Sequence, residues 1–490
     1  MINKTKKVDS IINKLKLIMF NSIKKNNFEK AMAAISTGSE ILYEFNQKYF
    51  DEDFENGVVT ISNIIRTNIQ NEISQFSKDE NTVLFYDGFG LDTRGVAKNY
   101  LNALKMNGYK IIYVTSKNSK GHLQETDKIL NDSETERYYI DFKSSYTNWS
   151  KELLDIVLRT VPKAMFYYTT PYDVSGAVVF AIMKGKVDRF LIDLTDHAFW
   201  LGVNCNDFFC GSREMSASNQ VYERGITRDK LIKLGVNLVI DEEADDHSGL
   251  PFDVIQERYI FSGGALYKTL GDTHNYYYRI IDHILEYNQD TLFLYAGSGD
   301  NTEMKKILLK YPGRAFLIPE RKDFYYLIQN CTLYLNTYPM FGGMMMKYSA
   351  NAGKLPITLK HENDSDGLLL EQESRKIEYD TYEELIEDVD KLLSNKEYLH
   401  AREALLQGSI ISEERFVRNV RTTIENHYTD YKHGHEHIDT TKFKNEFYNR
   451  FDLNQVKKKL SKPINRSLLF DFPWMILYLS LKAFKLFLKK

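Results

Sequence analysis

Two α/β domains, each a parallel sheet covered by helices on both faces, are what this sequence predicts. Three observations carry the prediction. Short apolar runs alternate with helix-length amphipathic segments, glycine-bearing turns follow the runs, and 490 residues exceed one ordinary core. The composition, 43% hydrophobic and 27% charged, is that of a globular chain and excludes a wholly disordered one. A formal net charge of −3 gives no reason to expect a nucleic-acid partner.

Residues 1–78 read as a helical N-terminal extension, because apolar residues recur at three- and four-residue intervals between Phe28 and Phe50. The pattern fits a hairpin used for docking or dimerisation, and it fits a cap on the following domain equally. The first α/β domain spans 79–254. Its opening strand, 82–86, meets a turn bearing Gly88, Gly90 and Gly95, then a helix to 106, then a strand at 110–115. That is a βαβ unit of ordinary length with a right-handed crossover. Further strands are expected at 137–141, 164–168 and 189–193, with 237–240 closing the sheet. The second domain, 255–395, repeats the alternation, with strands at 259–261, 291–296, 315–317, 332–337 and 356–358 and helices at 274–288 and 324–330. Residues 396–440 read as crossover helices that pack back across the first domain. The tail, 441–490, holds twelve Lys/Arg against three acidic residues.

Open parallel sheets bind ligands outside the carboxyl ends of their strands, so the turns there carry the chemistry. The first, Gly88-Phe89-Gly90-Leu91-Asp92-Thr93-Arg94-Gly95, reads as a structural turn or as a loop in which Gly88, Gly90 and Arg94 face an acceptor or a phosphate. It is not the dinucleotide fingerprint, since Thr93 stands where the third glycine belongs. The second domain offers Ser262-Gly263-Gly264-Ala265-Leu266-Tyr267-Lys268. A triphosphate loop has glycine directly before its lysine, and here Tyr267 stands there. Lys268 still supplies a point charge for a diphosphate, beside glycines that open backbone donors. Gly297 leaves room at the next strand end, and Arg321 is placed to reach a base or phosphate, while Asp323 is expected to cap the helix after it. The most telling stretch is 334–356, where a strand breaks at Pro339, passes Gly342-Gly343 and enters a helix through Met344 that ends at Gly353. Adjacent glycines at such a turn let backbone N–H groups approach a ligand, and a helix N-terminus favours an anion. The polar run 361–367 reads as a ribose- or sugar-binding loop or as a solvated one. In the first domain a strand delivers Asp196 and His197 onto a loop. An imidazole titrates near neutral pH and can take a proton from an acceptor hydroxyl, with Asp196 the alternative base. A histidine among aromatics also serves simply to pack.

Cys205, Cys210 and Cys331 have no zinc-ligand spacing and follow no secretory signal, so a reduced, cytoplasmic protein is expected. His433, His435 and His437 alternate, which suits a solvated loop better than a metal site. Residues 468–490 combine aromatic and aliphatic residues with four lysines. They are too short and too charged to span a bilayer but suited to lie on the inner leaflet, or to pack on protein.

Taken in order, the glycine turn of the first domain, SGGALYK, YAGSGD, PERKDF and YPMFGG…ANAGKLP resemble the GT-B glycosyltransferases of bacterial cell-surface polysaccharide and protein glycosylation, over roughly residues 80–430. The resemblance implies two Rossmann-like domains facing a cleft, with a nucleotide-diphosphate sugar on the second domain and the acceptor on the first. It implies no metal and no cofactor. By the same resemblance the acceptor is expected to be a lipid-linked glycan, another glycan or a protein. Gly342, Gly343 and Met344 would take the diphosphate, and Lys268 is similar to the assisting lysine of that family. The large retaining group carries two glutamates with seven residues between them around this turn, whereas this chain has Met340 and Tyr348, or Phe341 and Ser349. An inverting reaction is therefore favoured. A GT-B-like partner without catalysis, and a polyol-phosphate transferase, are the rival readings.

Overall fold

The computed structural model describes residues 2–92, 95–131, 134–235, 237, 238, 240, 247–360, 369, 372–434 and 436–475. The chain divides into unit 1, residues 1–236 with 414–490, and unit 2, residues 237–413.

Unit 1 opens with helices α1 (Ile2–Lys24), α2 (Phe28–Phe45) and α3 (Glu52–Asn68). Asn27 caps α2 by accepting from the Lys30 N–H, and Asp51 caps α3 from the Phe54 N–H. The middle of α2, Ala31-Met32-Ala33-Ala34-Ile35, is fully buried, as expected of a helix apolar on every side. Small residues let the neighbours close in: a Cβ on Gly38 would lie 2.2 Å from the Phe54 ring. The extension is thus built into the unit's core as a cap, sharing one apolar cluster with the sheet.

The sheet of unit 1 comprises β1 (Asp79–Asp87), β2 (Lys110–Ser116), β3 (Thr135–Ile140), β4 (Pro162–Tyr168), β5 (Asp188–Ile192), β6 (Phe208–Gly211) and β7 (Leu231–Lys233). All pairs are parallel, in the order β3-β2-β1-β4-β5-β6-β7. Helix α4 (Tyr146–Thr160), capped by Ser145, leads into β4. The closing strand is Leu231–Lys233 rather than 237–240, because the chain passes into unit 2 at residue 237.

Unit 2 comprises β8 (Tyr259–Gly263), β9 (Leu292–Ala296), β10 (Ala315–Ile318), β11 (Leu333–Leu335), β12 (Pro356–Leu359) and β13 (Glu378–Tyr379), all parallel, in the order β10-β9-β8-β11-β12-β13. Helix α5 (Gly343–Asn351) joins β11 to β12. Each sheet turns back on itself once, between β1 and β4 and between β8 and β11, and such switch points open a crevice at the strands' carboxyl ends.

The chain then returns to unit 1 as helices Glu413–Asn426, α6 (Thr441–Arg450) and Leu453–Leu460 and a 3-10 segment, Pro463–Asp471. Lys459 bonds Glu40 of α2 at 3.0 Å, and Leu468, Phe472 and Met475 are buried. One side of the tail through Met475 therefore packs on the protein, while Phe470 and Trp474 stay exposed; residues 476–490 of the expected amphipathic tail lie outside the described residues, as do Arg94 and the polar run 361–367. Among the described residues no helix is long and apolar enough to cross a membrane.

Candidate functional site

In unit 2 the turns after β8, β9 and β11 meet. The Gly264 N–H donates to the Ala296 carbonyl at 3.0 Å and the Leu266 N–H to the Ser298 carbonyl at 2.8 Å. No side chain fits between them: a Cβ on Gly297 would sit 1.9 Å from the Gly264 carbonyl oxygen. Lys268 links this pair to the turn after β11. Its carbonyl accepts from the Met340 N–H at 3.1 Å, and its Nζ donates to the Phe341 carbonyl at 3.3 Å. Buried Asn336 accepts from the Gly342 N–H at 3.1 Å, and the Thr337 hydroxyl donates to the Met340 carbonyl at 2.7 Å. Helix α5 begins there with no side-chain cap, so its first-turn N–H groups, on Gly343, Met344 and Met345, keep the donor character of an open helix end. Gly263, Gly264, Lys268, Gly297, Gly342, Gly343 and Met344 thus share one edge of the sheet.

Arg321 behaves differently. It follows β10 at the sheet's margin, and its Nε and Nη2 donate to the two Asp323 oxygens at 2.6 and 2.7 Å, its Nη1 to the Ser248 carbonyl at 3.0 Å. Asp323 makes no cap bond to the helix after it. Burial opposes its charge, but Arg321 and His247 hold the carboxyl below its usual range. A carboxylate two residues away satisfies the guanidinium fork locally, which replaces both the expected cap and the expected reach to a ligand.

In unit 1 the turn after β1 is held by Asp87, whose Oδ1 accepts from the Phe89 and Gly90 N–H groups at 3.0 and 2.9 Å and whose Oδ2 accepts from the Tyr113 hydroxyl at 2.7 Å. Gly90 has φ +58°, and a Cβ there would lie 2.1 Å from the Ser119 Oγ. Sequence reasoning passed over Asp87, although a carboxylate just before a Gly-x-Gly turn is the legible sign of this side-chain-to-backbone motif.

The loop after β5 carries Asp196 and His197. Asp196 is buried, and Arg213 donates to both its oxygens, Nε to Oδ2 at 2.8 Å and Nη2 to Oδ1 at 2.6 Å. Burial favours the neutral acid, yet Arg213 and His197 outweigh it and hold the carboxyl well below the usual range. The His197 Nδ1 lies 3.3 Å from Asp196 Oδ1, and its partly exposed ring lies 6.1 Å from each of Phe443 and Phe447 of α6. The N-terminal helices hold the loop's backbone. Asn46 Nδ2 and the Tyr49 hydroxyl both donate to the His197 carbonyl, at 2.9 and 3.0 Å, and the Phe199 N–H donates to Asn46 Oδ1 at 3.0 Å. Glu55, fully buried, accepts from the Gly202, Val203 and Asn204 N–H groups at 2.7, 3.1 and 2.9 Å. These contacts span some 150 positions and leave no local signal.

A cavity of about 810 Å³ opens at the carboxyl edge of β1–β4. A second recess, of about 20 Å³ and lined by Asp193, Leu194 and Thr195, shares Thr170 with it.

The remaining polar candidates part company. His433 is buried beside Glu214, His437 packs edge-on to Tyr222, and His435 lies outside the described residues. No group of three His, Cys, Asp or Glu is arranged for a metal ion among the described residues. Cys210 and Cys331 are buried, which pushes both thiols up to about 12.

A glycosyltransferase from Rickettsia africae aligns at a TM-score of 0.52 and 12% identity, over 71% of this chain and 99% of its own. The fold is GT-B. S. aureus TarM (TM-score 0.49, 9% identity, 71% of this chain and 100% of its own) and the Thermobaculum terrenum O-GlcNAc transferase (0.47, 13%, 85% and 78%) are more distant. No protein-family model and no curated protein matches the sequence. At the positions where the retaining group carries its glutamates, Tyr348 packs on Phe324 at 4.9 Å and the Ser349 hydroxyl donates to the Lys354 carbonyl at 2.7 Å.

Proposed function

We propose that the protein is a glycosyltransferase that moves a sugar from a nucleotide-diphosphate donor on unit 2 to a hydroxyl acceptor on unit 1, in the assembly of cell-surface polysaccharide such as capsule or teichoic acid. The observation that carries this reading is the meeting of three glycine turns, Lys268 and the uncapped start of α5 at the switch point between β8 and β11. As the glycosidic bond breaks, negative charge grows on the departing diphosphate. Backbone donors, the α5 N-terminus and the Lys268 ammonium offset that charge without a metal.

On unit 1, His197 is the base and Asp196 its positioning partner. With Nδ1–H turned to Asp196, the imidazole presents the Nε2 lone pair to the acceptor hydroxyl. Asp196, held ionised by Arg213, is too weakly basic to take the proton itself. The acceptor oxygen attacks the anomeric carbon from the face opposite the leaving group, its proton passes to His197, and the nucleoside diphosphate departs. Met340 and Tyr348, or Phe341 and Ser349, at the positions of the retaining group's glutamates favour this inverting course. The enzyme works in the cytoplasm, touching the membrane's inner face through 468–490. Transfer to a protein hydroxyl uses the same chemistry.

The test is a thermal-shift panel of UDP-, GDP-, CDP- and TDP-sugars and a CDP-linked polyol on wild type, Lys268→Ala and Gly343→Trp, with nucleotide release measured alongside. One donor should raise the melting temperature by several degrees, lose most of that shift in both variants, and slowly release its nucleoside diphosphate. Stabilisation without release identifies a non-catalytic partner. A response confined to a CDP-linked polyol identifies a polyol-phosphate transferase. Silence toward every donor refutes the proposal.

A further inference from the structure

The unit 1 cavity has walls that a bare α/β sheet does not supply. Turns after β1, β2, β3 and β4 form its floor, but Ser36 and Glu40 of α2 and Lys462, Pro463 and Ile464 of the returning chain close it. These added walls are tied firmly together. Lys462 Nζ bonds both Glu40 oxygens at 2.8 and 2.7 Å, and the Tyr146 hydroxyl donates to Asn465 Oδ1 at 2.9 Å.

The lining spends several of its polar groups on the protein itself. Asp173 accepts from the Tyr86 hydroxyl, the Thr169 hydroxyl and the Gly176 N–H at 2.7, 2.9 and 2.9 Å. The Ser36 hydroxyl donates to the Tyr172 carbonyl at 2.9 Å, and Glu40 and Lys462 satisfy one another. What remains toward the space is mainly Phe89, Leu91, Phe142, Tyr146, Trp149 and Ile464, with the exposed Asn118, His122 and Lys143 also lining it. Against the apolar walls a hydrated sugar chain would surrender water hydrogen bonds without replacement, whereas a hydrocarbon chain would gain by leaving water.

The wall at Ile464 runs directly into a surface of another kind. Along the same segment Phe470 is 83% exposed and Trp474 39% exposed. Lys14 of α1 lies 4.8 Å from the Phe472 ring, and α1 exposes Leu17 and Phe20 together with Lys6, Lys7, Lys14 and Lys24. The sequence continues from Met475 as ILYLSLKAFKLFLKK, with four lysines and no acid. Exposed aromatics interleaved with lysines suit the interface of an anionic bilayer.

We infer that the cavity holds the hydrocarbon part of an amphiphilic lipid acceptor, taken from an anionic membrane on which α1 and residues 470–474 lie. The inference rests on the transferase reading above and names its acceptor class. The lipid's polar head carries the hydroxyl that is glycosylated, and Thr170, common to the cavity and the recess at Asp193–Thr195, marks the side on which that head leaves toward the His197 loop.

Trp149 in the wall makes the test direct. Hexyl, octyl and decyl glucoside, each below its micelle concentration, are titrated against tryptophan fluorescence, with free glucose as control. Saturable binding should tighten by up to about fourfold per added methylene, and glucose should not bind. Leu91→Asp, at a half-exposed wall position, should weaken decyl glucoside at least tenfold with an unchanged melting temperature. Leu309→Asp, at an exposed site in unit 2, should change nothing. Wild type should sediment with phosphatidylcholine vesicles containing 30% phosphatidylglycerol but not with pure phosphatidylcholine, and Leu17→Glu with Phe470→Glu should abolish this. Binding that ignores chain length or Leu91→Asp, or failure to bind anionic vesicles, overturns the inference. Donor-induced stabilisation is read separately in unit 2, so loss of the lipid result with the donor shift intact overturns this inference alone. The reverse outcome overturns the transferase reading.

Discussion

Replacing Asn46 probes how the N-terminal helices set the His197 loop. Asn46 is fully buried, adopts left-handed backbone angles (φ 44°, ψ 45°) at the end of α2, and bridges two loop groups, the Phe199 N–H and the His197 carbonyl. In Asn46→Ala the Phe199 N–H loses its acceptor inside the protein, at a cost of about 1–3 kcal/mol. The His197 carbonyl keeps the Tyr49 hydroxyl, so losing its second donor costs about 1 kcal/mol. Alanine in the left-handed region adds about 1 kcal/mol. The sum is a destabilisation of about 3–5 kcal/mol. Asn46→Gly loses the same bonds without the backbone penalty and should be about 1 kcal/mol less severe. All three tryptophans, Trp149, Trp200 and Trp474, belong to unit 1, so urea titration followed by tryptophan fluorescence reads this unit. An Asn46→Ala midpoint within 1 kcal/mol of wild type, at unchanged slope, would refute the reasoning (as would a glycine variant no more stable than the alanine one).

Three further outcomes are expected. Gly297→Ala forces a methyl onto the Gly264 carbonyl, so the melting transition of unit 2 should fall and the donor-induced shift vanish while the tryptophan-detected transition stays put. Lys459→Ala leaves buried Glu40 with only Lys462 and removes a partner of Glu44; it should cost about 3 kcal/mol in the same urea experiment, and a loss under 1 kcal/mol would show the cluster to be dispensable. Burial works against the charge of Glu214, but His433 and Lys233 prevail and bring its carboxyl down to about 2. Because this acid is depressed in the fold, the stability it supplies is present above its ordinary value of 4.5 and is lost as pH falls toward 2. Glu214→Gln should therefore lower the melting temperature at pH 7 and converge with wild type near pH 2; equal curves throughout would rule that contribution out.

The sequence by itself determined the parallel α/β architecture, most of the strands and the order of the turns in unit 2, because hydrophobic alternation and glycine pairs are local signals. Gly263-Gly264, Gly297 and Gly342-Gly343 could be read as strand-end turns from a few residues each. The strands Phe208–Gly211 and Leu231–Lys233 escaped notice, since four or three residues on one side of a sheet carry too little pattern to register. Tertiary structure alone decided which charged groups are spoken for. Asp196 turns to Arg213, and Glu40 to lysines more than 400 positions away. It also decided that the N-terminal helices hold the His197 loop and that, with the returning chain, they wall the cavity. Hydrogen bonds and ion pairs between distant segments depend on where the folded backbone places them, and no periodicity along the chain records that placement.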